Sequence, residues 1–440
     1  MPDKVRTGPQ TMLSGTDPHG CRSGLAASRL EPQVRVSLSF FIPGWTMVTR
    51  RSLLQSAAAA SAAAMLPAQS AQAGSVERDE VAFASCGVQL QDVFSLPEFE
   101  DYARECMSHM SYEFVASAAA DENTLHWNRA AYDRIQLQPR VLRDVSDIDT
   151  SLSLLGHQMA FPILLAPTAY HRAIHPEGEL ATARGAGAAG VTWVVSTATT
   201  TRLEDIARVA TAPLWMQLYI QPDRSVTRDL VQRAESVGCR ALCVTVDTPV
   251  QGARNRQTRA QFRLPPGVTA PYMTQLGSGG HAVTDTRRGV VVTWKDIEWL
   301  RSIATVPVLL KGVLNADDAD HAVSAGAAGI LVSNHGGRIL DTAPATIDAL
   351  PEVAARVDGR IPVLVDGGIR RGTDIVKARA LGATAVLIGR PYCFGLAVGG
   401  AAGVQRVVEI LRGELEMAMA LMGRRSLAEI DRSAIRGLTA

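Results

Sequence analysis

An α/β fold, a (β/α)8 TIM barrel with a short N-terminal helical segment and a long lid loop after strand 4, is predicted by three observations on this sequence. Short apolar, β-prone runs recur from residue 161 onward, most of them separated by Ala-rich helical stretches, and there are eight of them. The runs are continuously apolar rather than alternating, which fits strands buried on both faces of a parallel sheet. Each run closes on polar or glycine residues at its C-terminal end. A barrel gathers eight such ends on one face, whereas the competing doubly wound open sheet would spread them along an edge.

The chain begins outside that pattern. Residues 1–46 show no sustained periodicity, and from Met47 the order is paired arginines (Arg50, Arg51), an Ala-rich apolar stretch to Leu66 and Ala71-Gln72-Ala73. That order resembles a twin-arginine export signal over 47–73. We therefore expect a leader region over 1–73, one domain over 74–440, a start at Met47 as an alternative to Met1, and export to a bacterial periplasm. Twin-arginine export carries folded cargo, a hint of a tightly bound cofactor. Beyond the leader no stretch reads as long and apolar enough to span a bilayer. Five cysteines remain after Cys21, an odd number at irregular spacing, which argues against a disulfide framework. Cys239 and Cys243 lack a second cluster, so no metal is expected. A net charge of +1 without a basic block excludes the footprint of a nucleic-acid binder.

The strands are expected at Pro162 to Ala166, Trp193 to Val195, Leu214 to Leu218, Ala241 to Val246, Pro307 to Leu310, Gly329 to Val332, Pro362 to Val365 and Ala385 to Ile388. At their ends stand Thr168, Ser196, Gln217, Thr245, Lys311, Ser333 with His335, Asp366, and Gly389 with Arg390. The long connection after the fourth strand runs from Asp247 through Gly277-Ser278-Gly279-Gly280 and reads as a lid. Asp366-Gly367-Gly368-Ile369-Arg370 and Gly389-Arg390 follow the last two strands, where barrels commonly bind phosphate; two ordinary glycine turns are the plainer reading. Gly185 to Gly190 matches G-x-G-x-x-G, but it follows a helical stretch and precedes a strand. This is the reverse of a dinucleotide fingerprint, and close helix-to-strand packing explains it better.

The richest segment is Ser333-Asn334-His335-Gly336-Gly337-Arg338-Ile339-Leu340-Asp341. The imidazole is a base near neutral pH, the guanidinium fork fits a carboxylate, and two glycines permit close backbone approach. A lone histidine in a polar turn is the plain alternative.

Together with Ala116-Ser117, Asp121-Glu122-Asn123-Thr124-Leu125, Ala166-Pro167-Thr168-Ala169, His175-Pro176-Glu177-Gly178, Gln217-Leu218-Tyr219, Thr245-Val246-Asp247-Thr248-Pro249, Leu310-Lys311-Gly312-Val313 and Asp366 to Gly372, that segment resembles the FMN-dependent 2-hydroxy acid oxidases and dehydrogenases from about Phe94 to Ile435. The resemblance implies FMN across the barrel mouth, with Pro167, Thr168, Ala169, Ser196, Gln217 and Thr245 around the isoalloxazine and Lys311 by N1 and the C2 carbonyl. It implies Ser333, Asp366, Gly367, Gly368, Arg370, Gly389 and Arg390 along the ribityl chain and phosphate. His335 would take the hydroxyl proton as hydride passes to flavin N5, a carbanion route with the same base being the alternative. Asp247 would orient the imidazole, Arg254 and Arg338 would grip a carboxylate, and Tyr219 would bond the substrate oxygen. A homotetramer is implied, with oxygen, a quinone or a cytochrome as electron acceptor.

The chain departs from that pattern in places. Phe114 stands where a substrate-binding tyrosine is usual, Ile339 replaces a glutamine, Ala118 a glycine, and Ala198 a tryptophan found in glycolate oxidase. Ala198 points to a lactate-like or larger L-2-hydroxy acid, whereas Phe114 and Ile339 fit a subfamily with another substrate. An amine or peptide-derived substrate, and an FMN-binding scaffold without activity, are the rival readings.

Overall fold

In the computed structural model the described residues are 87–273 and 291–437, so the leader and the Gly277 to Gly280 run lie outside them. The described residues belong to one unit, Glu77–Ala440.

Two strands absent from the sequence reading, β1 (Leu152–Leu154) and β2 (His157–Met159), pair as an antiparallel hairpin. Eight parallel strands follow: β3 (Ile163–Leu165), β4 (Thr192–Val195), β5 (Leu214–Leu218), β6 (Leu242–Thr245), β7 (Val308–Val313), β8 (Gly329–Val332), β9 (Val363–Val365) and β10 (Ala385–Ile388). They close into one barrel in sequence order, β10 pairing with both β9 and β3. The open-sheet alternative is thereby excluded. Outside run helices α1 (Leu96–Cys106), α2 (His109–Ala116), α3 (Asn123–Asp133), α4 (Gly178–Ala189), α5 (Leu203–Val209), α6 (Arg224–Ser236), α7 (Asn255–Arg259), α8 (Trp294–Ile303), α9 (Ala316–Ser324), α10 (Thr346–Val357), α11 (Gly372–Ala380) and α12 (Arg390–Leu421).

Continuous apolarity serves two cores at once. Side chains alternate across a strand, so Leu164, Val194, Trp215, Cys243, Leu309, Leu331, Leu364 and Leu387 fill the barrel interior, where Leu154 of the hairpin joins them. Ile163, Leu165, Val195, Met216, Val244, Leu310 and Val332 face the helices. Two residues beyond each interior position the same parity gives Ser196, Gln217, Thr245, Lys311, Ser333 and Asp366, all buried. Strand period alone thus aims six polar side chains into one mouth.

The long stretch after β6 carries the short α7 and ends in α8, that strand's barrel helix, nucleated by a capping box between Thr293 and Asp296. Two expectations need correction. By length and composition α12 is apolar enough to cross a membrane, contrary to the sequence reading. Its apolarity has a packing cause, because Tyr392, Phe394, Leu396, Val404, Val407 and Leu411 are buried among the other helices. Finally, Cys106 is disulfide-bonded while Cys239, Cys243 and Cys393 are buried free thiols, so parity of the count did not exclude a bridge.

The glycine-rich decoy lies inside α4 and ends at its C-cap, Gly190, in the left-handed region. A Cβ at Gly185 would meet Ala401 and Val404 of α12, and one at Gly187 would meet Thr211. These glycines serve close packing, but against α12 and Thr211 rather than against a strand as expected.

Candidate active site

β8 delivers Ser333 and His335 to the mouth. The turn after it is tight: His335 and Gly336 both take left-handed backbone, at φ 57° and 64°. For a residue with a side chain that conformation is costly and needs support. Support comes from Ser333 Oγ, which accepts the His335 amide at 3.1 Å, and from Asn334, whose Oδ1 accepts the Gly337 amide at 3.2 Å. Asn334 is itself locked by a reciprocal amide pair with Asn128 of α3, at 2.8 and 2.9 Å.

The imidazole meets two charges from neighbouring strand ends. Its Nδ1 lies 3.1 Å from Asp247 Oδ1 and 3.5 Å from Lys311 Nζ. With Nδ1–H donated to the carboxylate, Nε2 is left as the proton acceptor. Burial, and then the Lys311 charge, push the imidazole down to about 4, with Asp247 opposing. It is neutral at pH 7, the form a base requires. Asp247 is held below the usual carboxylate range: burial works against its charge, but His335 and Lys311 outweigh it. Close approach of Asp247 to β7 depends on Gly312, at φ 116°, where a Cβ would sit 2.5 Å from Asp247 Cβ.

Lys311 is 3% exposed, and its ammonium has only long contacts, 3.5 Å to His335 and 3.9 Å to Asp366 Oδ2. Burial disfavours its charge, yet Asp247 and Asp366 together hold it above the ordinary lysine value. Asp366 is raised by burial, against the pull of Lys311 and of Ser333 Oγ, which donates to it at 2.9 Å. Ser196, Gln217 and Thr245 form a chain: Ser196 Oγ donates to Gln217 Oε1 at 3.2 Å, and Gln217 Nε2 to Thr245 Oγ1 at 2.9 Å.

Arg254 and Arg338 lie on the opposite flank. Burial lowers both, and Arg338 is depressed further by the charges of Arg254 and Arg390. Two desolvated like charges are destabilising until an anion joins them. Arg338 Nη1 donates to Ser117 O at 2.7 Å, and its Cζ lies 5.5 Å from the Phe114 ring centre. Tyr219, its phenol raised by burial, stands within the field of Lys311, Asp247 and Arg254.

Arg370 and Arg390 make a second cationic pair. Burial and then Arg370 bring Arg390 down to about 10. Arg390 spends its guanidinium on the carbonyls of Val115, Ser117 and Gly336 at 2.9 to 3.0 Å, tying the His335 turn to the end of α2. The amides of Arg370 and Arg371 bond Asp374 Oδ2 at 2.9 and 3.0 Å. The Thr168 hydroxyl, expected near the flavin, lies in a buried network with His171 Nε2 at 2.6 Å and with Tyr392. Pro167 and Ala169 border it, partly exposed at the mouth.

Sequence reasoning missed Tyr170 and Phe262, which stack with Phe114, and the Asn128–Asn334 pair beneath the turn. For Asn128 a signal existed in the quoted Asp121 to Leu125 motif, one helical turn earlier. For Phe262 there was none.

The residues fit FMN. A buried ammonium with long contacts suits an electron-poor ring's developing negative charge, and the crowded Arg370 and Arg390 suit a phosphate at the start of α12. Asp366 Oδ1 is buried without a partner, as an acceptor for ribityl hydroxyls would be.

Known proteins agree. Residues 103–437 match the FMN-dependent dehydrogenase family model. An L-lactate oxidase of Nostoc sp. is 48% identical over 353 residues, covering 77% of this chain and 97% of that protein. A peroxisomal (S)-2-hydroxy-acid oxidase of Oryza sativa subsp. japonica is 49% identical over 343 residues, covering 76% and 94%. Among solved structures, mandelate oxidase with (S)-4-hydroxymandelic acid superposes with a TM-score of 0.75 at 43% identity, covering 78% of this chain and 98% of that one. A strand-end histidine, lysine and aspartate set over a closed barrel, read with these likenesses, makes this chain a member of the FMN-dependent dehydrogenase family of 2-hydroxy acid oxidases, with FMN as its cofactor and CH–OH oxidation as its chemistry.

Proposed function

We propose that the protein oxidises an L-2-hydroxy acid with a side chain of lactate size or larger to the 2-oxo acid. The observation that carries this reading is the His335 imidazole, oriented through Nδ1 by Asp247 and facing a mouth lined by two unneutralised guanidiniums. Arg254 and Arg338 bind the substrate carboxylate, which relieves their mutual repulsion. Tyr219 bonds the substrate oxygen. His335 Nε2 then takes the hydroxyl proton, and Asp247 steadies the imidazolium. Bound FMN would supply the two-electron acceptor for the hydride that leaves the substrate carbon. Lys311 would hold positive charge beside it, Ser196, Gln217, Thr245, Pro167, Thr168 and Ala169 would line its ring, and Ser333, Asp366, Gly367 and Gly368 would hold its ribityl hydroxyls. Arg370 and the helix start at Gly389 and Arg390 take the phosphate.

Side-chain size is supported by Ala198, an alanine where glycolate oxidase carries a tryptophan, and by relatives named for lactate and mandelate. Relatives named as oxidases favour oxygen over a quinone or cytochrome as acceptor. Export by the twin-arginine route is supported by the Arg50-Arg51 leader and by a disulfide at Cys106, since such bonds persist in oxidising compartments. Replacing both arginines with lysine should keep the chain in the cytoplasm; unchanged export would refute the route. A homotetramer is proposed from the family resemblance, and light scattering on the holoprotein tests it.

Anaerobic mixing with L-lactate and (S)-mandelate tests the central reading. Oxidised-flavin absorbance should bleach with at least one acid, and persistence with every 2-hydroxy acid tried would refute it. His335→Ala should retain FMN and lose reduction by at least about a hundredfold; undiminished reduction would remove His335 from its role.

A further inference from the structure

Beside the guanidinium clamp stands an aromatic wall assembled from three separate segments. Phe114 comes from α2, Tyr170 from the loop after β3, and Phe262 from the chain following α7. Phe114 and Phe262 stack with centroids 4.1 Å apart and planes 12° from parallel, while the Tyr170 ring lies 5.6 Å from Phe114 and 6.2 Å from Phe262. The Arg338 guanidinium over Phe114 fixes where this wall meets the clamp.

Of the three rings only Tyr170 bears a hydrogen-bond donor. Its backbone is rigidly set in the left-handed region, φ 58° and ψ 52°, with its amide donated to Ala198 O at 3.0 Å and its carbonyl accepting the Ala173 amide at 2.8 Å. The phenol forms no hydrogen bond with any described residue, and the residue is half-buried. A half-buried phenol without a partner in the chain is free to donate to a ligand at the mouth. Its surroundings say what. Burial raises the phenol above the ordinary tyrosine range, and the Arg254 charge pulls it back; Tyr170 in turn supports the charge on Arg254 and acts on Tyr219. The hydroxyl therefore shares the electrostatic space of the clamp.

The clamp itself is partly engaged within the chain. Arg338 spends Nη1 on Ser117 O and points Nη2 at Gln257 Oε1, 3.3 Å away. A carboxylate offers about four acceptor sites, so it can take a phenol hydrogen beside those of the two guanidiniums. We propose that Tyr170 is a substrate-binding residue whose hydroxyl donates to the carboxylate held by Arg254 and Arg338, so that Phe114 and Phe262 serve as its apolar backing. This rests on the 2-hydroxy acid reading above.

The test uses the FMN-loaded protein. Tyr170→Phe removes one oxygen and leaves the ring stack. A hydrogen bond to a charged group is worth about 1.5 to 3 kcal/mol, so the KM for L-lactate, or for whichever 2-hydroxy acid bleaches the flavin fastest, should rise roughly 10- to 100-fold. The Kd for oxalate, a carboxylate that cannot be oxidised at a CH–OH carbon, should rise in parallel by flavin-absorbance titration, while kcat changes less than KM. Adding Phe114→Tyr to the variant, which returns a phenol to the same wall, should recover part of both losses. If Tyr170→Phe, with full FMN content, leaves both constants within about twofold of the parent, the assignment is wrong. A parent protein that binds oxalate yet is reduced by no 2-hydroxy acid sinks the functional reading instead, and the oxalate titration of Tyr170→Phe still decides the role of Tyr170.

Discussion

His335 shows how a barrel turns an ordinary imidazole into a base. Water would protonate it near pH 6.5, but burial and the Lys311 ammonium hold it down to about 4 in the folded protein. Between those values an unfolded chain binds a proton that the folded one does not, so His335 contributes stability above pH 6.5 that is lost as pH falls toward 4. The same shift predicts that the acid limb of kcat/KM in the free enzyme lies well below pH 6.5, and an acid limb at or above 6.5 would contradict the assignment. Asp247 acts on the charged form. Asp247→Asn should slow flavin reduction by on the order of 10² to 10⁴, with oxalate affinity changed far less, because it removes the partner of the imidazolium and leaves the clamp. Rapid-mixing reduction rates beside oxalate titration would separate the two effects.

At the scale of elements, the device that matters is the end of β7. The pairing of β7 with β8 shifts register between Lys311 and Val313, and Gly312 occupies the shift at φ 116°. That conformation excludes a Cβ twice over, by backbone strain and by contact with Asp247, 2.5 to 3.0 Å away. Gly312→Ala should therefore cost about 1 to 3 kcal/mol of stability and slow reduction by displacing Asp247. Urea unfolding that matches the parent, with normal reduction, would mean the bulge tolerates a side chain. α12 illustrates the opposite relation of element to sequence. Its composition suits a bilayer, yet Gly395 and Gly403 pack so closely that a Cβ on either would strike the other's backbone, and its apolar residues fill the helical layer.

For the whole molecule, two pairs of half-buried cations lie at one end of the barrel, Arg254 with Arg338 and Arg370 with Arg390. Folding buries these charges at a cost that a bound anion offsets. Saturating FMN should accordingly raise the unfolding temperature, and at a hundredfold excess over Kd mass action predicts about 2.7 kcal/mol. An apoprotein as stable as the holoprotein would show that the cations are compensated within the chain.

The strand count, the barrel and most of the site were legible in sequence for a simple reason: parity. Leu309 faces inward, so Lys311 does too, and the same two-residue step leads from Leu331 to Ser333 and from Leu364 to Asp366. Local chemistry and spacing also determined the motif around His335. Tertiary structure decided everything that depends on segments far apart in the chain. The meeting of His335 with Asp247, 88 residues apart, the donation of Arg390 to carbonyls more than 270 residues earlier, and the stacking of Phe114, Tyr170 and Phe262 arise only when the barrel closes. No local period encodes such contacts, because each partner's own strand, helix or loop is satisfied without the other.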